Sequence, residues 1–537
     1  MTSPWRLPAS ALLFAPAVLG YASALAQPAG ARGEIVLHVD GRHPGANDRN
    51  AAAADAPLKS IGEATRRALE NRRAGTPTRI LVHPGVYRES IVLAADTPAD
   101  VPIVLEGAGE GEAIVSGSDV WRQWRREGRT GLFRHAWPLD WRPPDIPAGW
   151  DKVRSQVEQH PILLHGEMLF VNGTPLDQVF SSAALRARAG TFYVETSARP
   201  GAGVVWAHST EDLSLDEVLV EVSVRPALLV ATGLNRLTLR RLVFQHASSQ
   251  LQDAAVRIDR GTDVLVDECR FLLNSWIGLG VYESRGVRLE RVTANRNGAG
   301  GVQAWRVRGL TVTDTEASEN NWRGARGNFT GWATGQKFAS VHGARFVRYR
   351  AVGNQATGLW FDTDNTDITV TDAIVCGNAT RGVFLEASPG PFLIEGSRIC
   401  ENGESGVMAT GAARVTLEGN TVTGNLRHQI VLPWLADDHV ETTAVDFETG
   451  RSVPIRSSEW TLIGNTIGGG GDSLLFSVGR WPSFFDTLRS DRNRWQHAER
   501  RDVFRIYPRR GALAERLSFD LWRIASRQER SSVFVYP

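Results

Sequence analysis

The chain has 537 residues, with 60 Lys and Arg against 59 Asp and Glu, 17 Trp and three Cys. That balance leaves no basic surplus for nucleic acid and no strong overall field for a polyanion. Three cysteines cannot build a disulfide framework, and none has a CxxC or Cys/His spacing suited to zinc, so packing must supply the stability.

Residues 1–26 carry Arg6, a small and apolar stretch from Ala9 to Ala22, and Ala24-Leu25-Ala26. This pattern predicts a secretory signal cleaved near Ala26/Gln27, hence a secreted or periplasmic protein. No other segment is apolar for long enough to suggest membrane insertion. Glu34 to Asp40 reads as a first strand. Pro57 to Arg73 reads as an amphipathic helix with Leu58, Ile61, Ala64, Ala68 and Leu69 on one face. Short strands follow at Arg79 to Val82, Ile103 to Leu105 and Ala113 to Val115, which makes residues 27–120 a cap with the first turns of a larger unit. Between 121 and 220 the pattern breaks into Pro- and Trp-rich segments, with a hairpin signal at Met168-Leu-Phe-Val-Asn-Gly-Thr-Pro-Leu. This stretch is expected to be an inserted β-rich subdomain.

From 221 to 500 a repeat takes over. Asn274, Asn297, Asn320, Asn354, Asn378, Asn402 and Asn425 are spaced by 23, 23, 34, 24, 24 and 23 residues. A period in the twenties marks a solenoid, whose repeats bury their apolar faces only by stacking. Short Val/Ile/Leu alternations around each Asn make the repeats strands. Asn tolerates the left-handed conformation of a tight corner, and stacked amides can bond along the column. The fold class is therefore all-β, a right-handed parallel β-helix with an N-terminal capping helix. A polar excursion interrupts it at about 435–460, and residues 501–537 form a C-terminal cover. Cys376 and Cys400 fall in neighbouring repeats, where stacked free thiols are expected rather than a bridge.

Aligning the strands after each ladder Asn from Gly278, Gly301, Gly335, Gly358, Gly382 and Gly406 sorts the side chains into columns. The first and third positions after the glycine are mostly apolar and face inward. The second and fourth therefore face outward, because strand side chains alternate. The second column reads Gly280, Gln303, Lys337, Trp360, Phe384, Met408; the fourth reads Tyr282, Trp305, Ala339, Asp362, Glu386, Thr410. Asp362 and Glu386 thus belong to adjacent strands, about 4.8 Å apart. Carboxylates so close raise one another's pKa, leaving one protonated and one ionised. A separation of about 5 to 5.5 Å is the geometry of retaining glycoside hydrolysis.

Gly358-Leu-Trp-Phe-Asp and Gly382-Val-Phe-Leu-Glu-Ala-Ser-Pro-Gly-Pro-Phe-Leu-Ile resemble the active-site core of glycoside hydrolase family 120, the β-helix β-xylosidases. The resemblance is strongest over Gly335 to Ile394. It implies that Asp362 is the nucleophile, that Glu386 is the acid/base and that Lys337 is part of the site. The pattern departs directly after Asp362, where Thr363-Asp364-Asn365 stands in place of an aromatic.

Further candidates follow from position. Lys occurs only at Lys59, Lys152 and Lys337, so an ammonium beside two carboxylates is expected to bind a hydroxyl or set their ionisation. Trp305, Trp360, Tyr282 and Gln303 share the outward columns and would contact a sugar, with Asp364 and Asn365 at the strand end. The 34-residue gap adds an excursion before Lys337 that is expected to form a pocket wall, with Arg323 and Trp332 as candidates for substrate contact, and His342 follows on the same strand. The expected partner is a carbohydrate and the expected cofactor is none. A calcium-dependent polysaccharide lyase is the main alternative, with Asp362, Asp364, Asn365 and Asp367 around the ion and Lys337 as base. The other is a glycan-binding solenoid without chemistry. Oligomeric state is not readable from the sequence.

Overall fold

The computed structural model describes residues 33–95, 99–128, 130–139, 161–195, 201–209, 214–251, 253–324, 336–433, 442–509 and 511–536. The signal segment, Trp332 and Gly335 lie outside the described residues. No helix among the described residues is long and apolar enough to cross a membrane.

Each coil of the body contributes three short strands. Leu359–Asp362, Thr366–Thr371 and Ile374–Cys376 make one coil, and Arg381–Ser388, Phe392–Glu395 and Arg398–Cys400 the next. Every pairing between these coils is parallel and in register, with Asp362 opposite Glu386, Thr371 opposite Glu395 and Cys376 opposite Cys400. Inward positions are filled by Val, Leu, Ile and Phe, including Phe338, Phe361, Leu385 and Val407, all at 0% exposure. One continuous apolar core runs from the capping helix to the C-terminal cover.

The asparagines form a hydrogen-bonded column along this core. Asn354 Nδ2 donates to Asn378 Oδ1 at 2.8 Å, Asn378 to Asn402 at 2.9 Å and Asn402 to Asn425 at 2.8 Å. Gln429 Oε1 closes the series by accepting from Asn425 Nδ2 at 2.7 Å. The other amide hydrogen reaches a backbone carbonyl, as from Asn378 to Ala351 at 2.9 Å, so these buried groups are satisfied. The left-handed residue at the corner is not the asparagine. It is the preceding residue: Leu273, Arg296, Glu319, Gly353, Gly377, Glu401 and Gly424 all have φ between 52° and 69°. The corner turns one position earlier, which aims the Asn side chain into the stack. Asn420, Asn465 and Asn493 form a second ladder at 3.1 Å per step.

The helix runs Ile61–Arg73, starting later than its apolar pattern because Ser60 caps it and the Glu89 carboxylate accepts from Ile61 N at 2.9 Å and Gly62 N at 2.8 Å. Its Ile61, Ala64 and Ala68 close the N-terminal end of the core. Two small, largely antiparallel sheets lie between Ser118 and Ser223, around their own core of Trp124, Phe133, Trp137, Phe192 and Val205. The hairpin signal corresponds to Leu169–Val171 paired with Thr174–Pro175. At the far end the helix Phe519–Ser526 lays Trp522 on Phe504, ring centroids 5.3 Å apart.

Cys376 and Cys400 form a disulfide, contrary to the expectation of stacked thiols. In-register pairing brings their Cα atoms to 4.5 Å, within the reach of a bridge. Cys269 is a buried free thiol, its pKa pushed up to about 12 by burial.

Candidate active site

The outward columns align as the strand alternation predicts. Lys337 is opposite Trp360 and Ala339 opposite Asp362; in the next coil Trp360 is opposite Phe384 and Asp362 opposite Glu386. Asp362 ends its strand and enters a turn in which Thr363 and Asp364 both adopt left-handed φ, 45° and 57°. Asn365 Nδ2 donates to Asp362 O at 2.9 Å and fixes that turn. The corner at Thr363 is the one each coil makes at this level, left-handed also at Arg306, Ser340 and Ala387, and Asp364 adds a second left-handed residue to it.

Lys337 Nζ forms an ion pair with Asp362 Oδ2 at 2.7 Å, and Thr363 Oγ1 donates to Asp362 Oδ1 at 2.7 Å. The same ammonium stands 4.3 Å from the centroid of Trp360. The edge of that indole donates from Nε1 to Glu386 Oε2 at 3.1 Å. Trp360 therefore ties the cation of one coil to the acid of another. Burial first, and then the charge of Asp362, raise the Glu386 pKa to about 7; Lys337, the Trp360 hydrogen bond and Arg381 oppose the rise. Near neutral pH Glu386 can hold or release a proton beside a carboxylate already paired with an ammonium.

The remaining candidates separate. Trp360 is 2% exposed, enclosed by Lys337 on one side and Phe384 on the other at 5.5 Å, so it positions the site and offers no open face to a sugar. Trp305 is 41% exposed, beneath Arg306 at 4.4 Å. It borders a cavity of about 450 Å³ with Tyr282, Asp253, Arg257 and Asp259. Its strand partner Ala339 is the partner of Asp362, placing Trp305 two strands away, roughly 10 Å. Tyr282 is mostly buried in the wall of that cavity, with burial raising its pKa. Gln303 is half-buried in the same sheet between Gly280 and the Lys337 strand.

Several expectations are corrected. Arg323 lines a cavity with Gln178 and Phe192 of the insertion, one that none of Lys337, Asp362 and Glu386 lines, and its guanidinium is fully engaged there: it donates to His165 O at 2.8 Å, Glu167 O at 3.0 Å, Gln178 Oε1 at 2.6 Å and Ser275 O at 3.2 Å. These bonds clamp the inserted sheets onto the β-helix, and burial lowers its pKa to about 10. Asn365 is fully buried, with Oδ1 accepting from Val341 N and Nδ2 bonded to Asp362 O and Ser388 Oγ, so it builds the turn instead of meeting substrate. Asp364 is 1% exposed and accepts from Phe447 N at 2.9 Å and pairs with His342 Nε2 at 3.2 Å. His342 also faces Glu448 at 3.8 Å and packs on Phe447 at 4.4 Å. Burial lowers the His342 pKa, but the Asp364 bond and nearby carboxylates outweigh it and the net shift is upward. Asp364 and His342 thus anchor the hairpin Thr442–Val445/Ser452–Ile455. The oxygen-rich run does not converge on one point: Asp362 faces Lys337, Asp364 faces His342, and Asn365 turns inward. Among the described residues no group of three or more His, Cys, Asp or Glu is arranged to hold a metal ion.

Three contributors were not singled out from the sequence. Thr363 is ordinary until the left-handed turn swings its hydroxyl onto Asp362. Arg381 sits before the aligned glycine, where its guanidinium covers Phe384 at 4.6 Å. Asp446-Phe447-Glu448 read as a polar loop tip with nothing to mark its destination.

Residues 254–422 match the family described as the right handed beta helix region. The chain is a right-handed parallel β-helix. A solved structure of XylC in complex with xylose superimposes with a TM-score of 0.70 at 12% identity, covering 93% of this chain and 86% of that one. A glycoside hydrolase gives 0.48 at 14% identity, with 86% and 96% covered. The A-module of the Azotobacter vinelandii mannuronan C-5 epimerase AlgE4 gives 0.49 at 13%, with 93% and 100% covered. No curated protein matches the sequence. At these identities the likeness to XylC is one of fold.

Proposed function

We propose that the protein is an exported glycosidase that cleaves oligo- or polysaccharide with retention at the anomeric carbon. The observation that carries this reading is the linked set of Lys337, Asp362, Trp360 and Glu386, in which one carboxylate is paired with an ammonium and its neighbour has a pKa of about 7. Asp362 attacks the anomeric carbon as Glu386 gives its proton to the departing glycosidic oxygen. Water then attacks the glycosyl–Asp362 ester, Glu386 takes the water's proton, and the carboxylate of Asp362 leaves. Lys337 and Thr363 hold Asp362 in one rotamer, and the sequence calls for no cofactor. The fold shared with XylC, solved with xylose, and the family 120 pattern around both acids support a xyloside-like substrate. The Cys376–Cys400 bridge and the N-terminal signal pattern both fit an oxidising compartment outside the cytoplasm.

The test is hydrolysis of a panel of aryl glycosides and plant or algal oligosaccharides by wild type, Asp362→Ala and Glu386→Gln, in EDTA and in calcium. Reducing sugar released without calcium and lost in both variants supports the proposal. Calcium-dependent formation of unsaturated uronate would assign a lyase with Lys337 as base, and no turnover on any substrate would leave a glycan-binding solenoid.

A further inference from the structure

On the C-terminal side of Glu386 the same sheet face opens into a cleft of about 450 Å³, lined by Arg381, Glu404, Met408, Arg427, His428 and Arg505 among others. Arg381 links it to the acid pair, since its charge also acts on Glu386. Arg381 begins the strand that carries Glu386 and covers Phe384, which stacks on Trp360. The outward column then continues in register from Phe384 to Met408, Val431, Ser477 and Arg505.

The charges in this cleft do not balance. Glu404 is its lining carboxylate and lies 3.7 Å from Arg381. Arg427 and Arg505 form no ion pair with a carboxylate among the described residues, although the chain as a whole is nearly neutral. Arg505 is half-buried and held in place by neutral groups. Nε donates to Ser477 Oγ at 2.9 Å, Nη2 donates to His428 Nε2 at 2.7 Å, and the guanidinium covers Tyr507 at 4.7 Å. Accepting that bond requires an unprotonated Nε2. Burial, then the charges of Arg505 and Arg427, push the His428 pKa down to about 4, so the ring stays neutral and acts as a prop for the guanidinium. A fixed, partly desolvated arginine with a second arginine beside it is suited to a planar or tetrahedral oxyanion.

We propose that this cleft is a subsite for the anionic group of a uronate- or sulfate-bearing glycan lying across Asp362 and Glu386. The inference rests on the glycosidase reading for the path of the sugar chain, and it extends the substrate from a neutral xyloside to an acidic glycan. Arg505 and Arg427 receive the anionic oxygens, and Met408 and Phe384 supply the apolar floor between that group and the acid pair.

The test is calorimetric binding to full-length Glu386→Gln protein, which separates binding from turnover. The probes are a galacturonic acid trisaccharide, a sulfated galactose trisaccharide and xylotriose. The proposal expects one charged trisaccharide to bind at least tenfold more tightly than xylotriose, with the difference shrinking in high salt. Which charged probe binds distinguishes carboxylate from sulfate. Adding Arg505→Gln or the more exposed Arg427→Gln should weaken that binding about ten- to a hundredfold, the effect of losing a charge-assisted hydrogen bond, and leave xylotriose unchanged. Equal affinity for charged and neutral probes, or charged binding unaltered in both arginine variants with unchanged thermal midpoints, would overturn it. If the charged probes bind as expected but wild type cleaves none of them, the hydrolase reading fails and the subsite stands. If wild type cleaves glycosides yet binds no charged probe in preference, the subsite fails and the hydrolase stands.

Discussion

Glu386 carries a folded-state pKa of about 7 against an ordinary value of 4.5, and this difference makes stability depend on pH. A carboxyl raised on folding binds more protons in the native state. Its penalty is absent below about 4.5, grows as the pH rises, and is complete above about 7. Two and a half units correspond to about 3 kcal/mol as an upper figure. Glu386→Gln should therefore stabilise the protein by up to about 3 kcal/mol at pH 8 and have little effect at pH 4, read from denaturant unfolding at both values. A second prediction concerns Lys337, whose charge holds the Glu386 pKa down. Lys337→Met should move the alkaline limb of kcat to higher pH while cutting its maximum about a hundredfold, as loss of an oriented charged partner does. An unmoved limb would show that the ammonium does not act on Glu386. Pairing of the two acids could be read from the sequence because a period of 24 residues and strand alternation determine it. The burial of Trp360 could not, because it depends on a cation and a ring from two other coils.

Among the elements, the asparagine column is where sequence spacing and structure agree most closely, and where one detail shifts. The repeat places Asn274 to Asn425 in a single stack, but the left-handed corner belongs to the residue before each of them. Replacing Asn378 with Ala would remove the acceptor shared by Asn354 N and one hydrogen of Asn354 Nδ2, and the side-chain donor to Ala351 O, in a dry column. The expected loss is about 2 kcal/mol in chemical denaturation, with the fold retained. Arg323 shows the opposite case. Its position in a long gap suggests an exposed wall, yet it satisfies four acceptors between the inserted sheets and the helix coils. Arg323→Met should cost about 3 kcal/mol or more and increase protease cleavage within 118–223, without altering the ionisation of Glu386. Nothing in a one-dimensional pattern reports a contact to residues 145–158 positions earlier.

Across the whole molecule, a period longer than twenty residues specifies a stack, and the stack converts separations of 23 or 24 in sequence into neighbouring strands. This explains why the fold class, the β-rich insertion and the Asp362–Glu386 pairing are legible while the docking of the insertion on the coils, the hairpin over His342 and the Cys376–Cys400 bridge are not. Those features depend on excursions whose destinations the period does not encode, or, for the bridge, on chemistry that spacing alone leaves open. The same sheet carries the aromatic cavity at Trp305 on one side of the acids and the arginine cleft on the other.

The most direct measurement of the central claim is the mass of the peptide carrying Asp362 after brief reaction of Glu386→Gln protein with an activated aryl glycoside that wild type hydrolyses. With the acid/base removed and a good leaving group supplied, glycosylation should outrun its hydrolysis. A single glycosyl adduct on Asp362, absent in Asp362→Ala, is the expected result. An unmodified Asp362 together with an inverted anomer released by wild type, or an unsaturated uronate product, would contradict it.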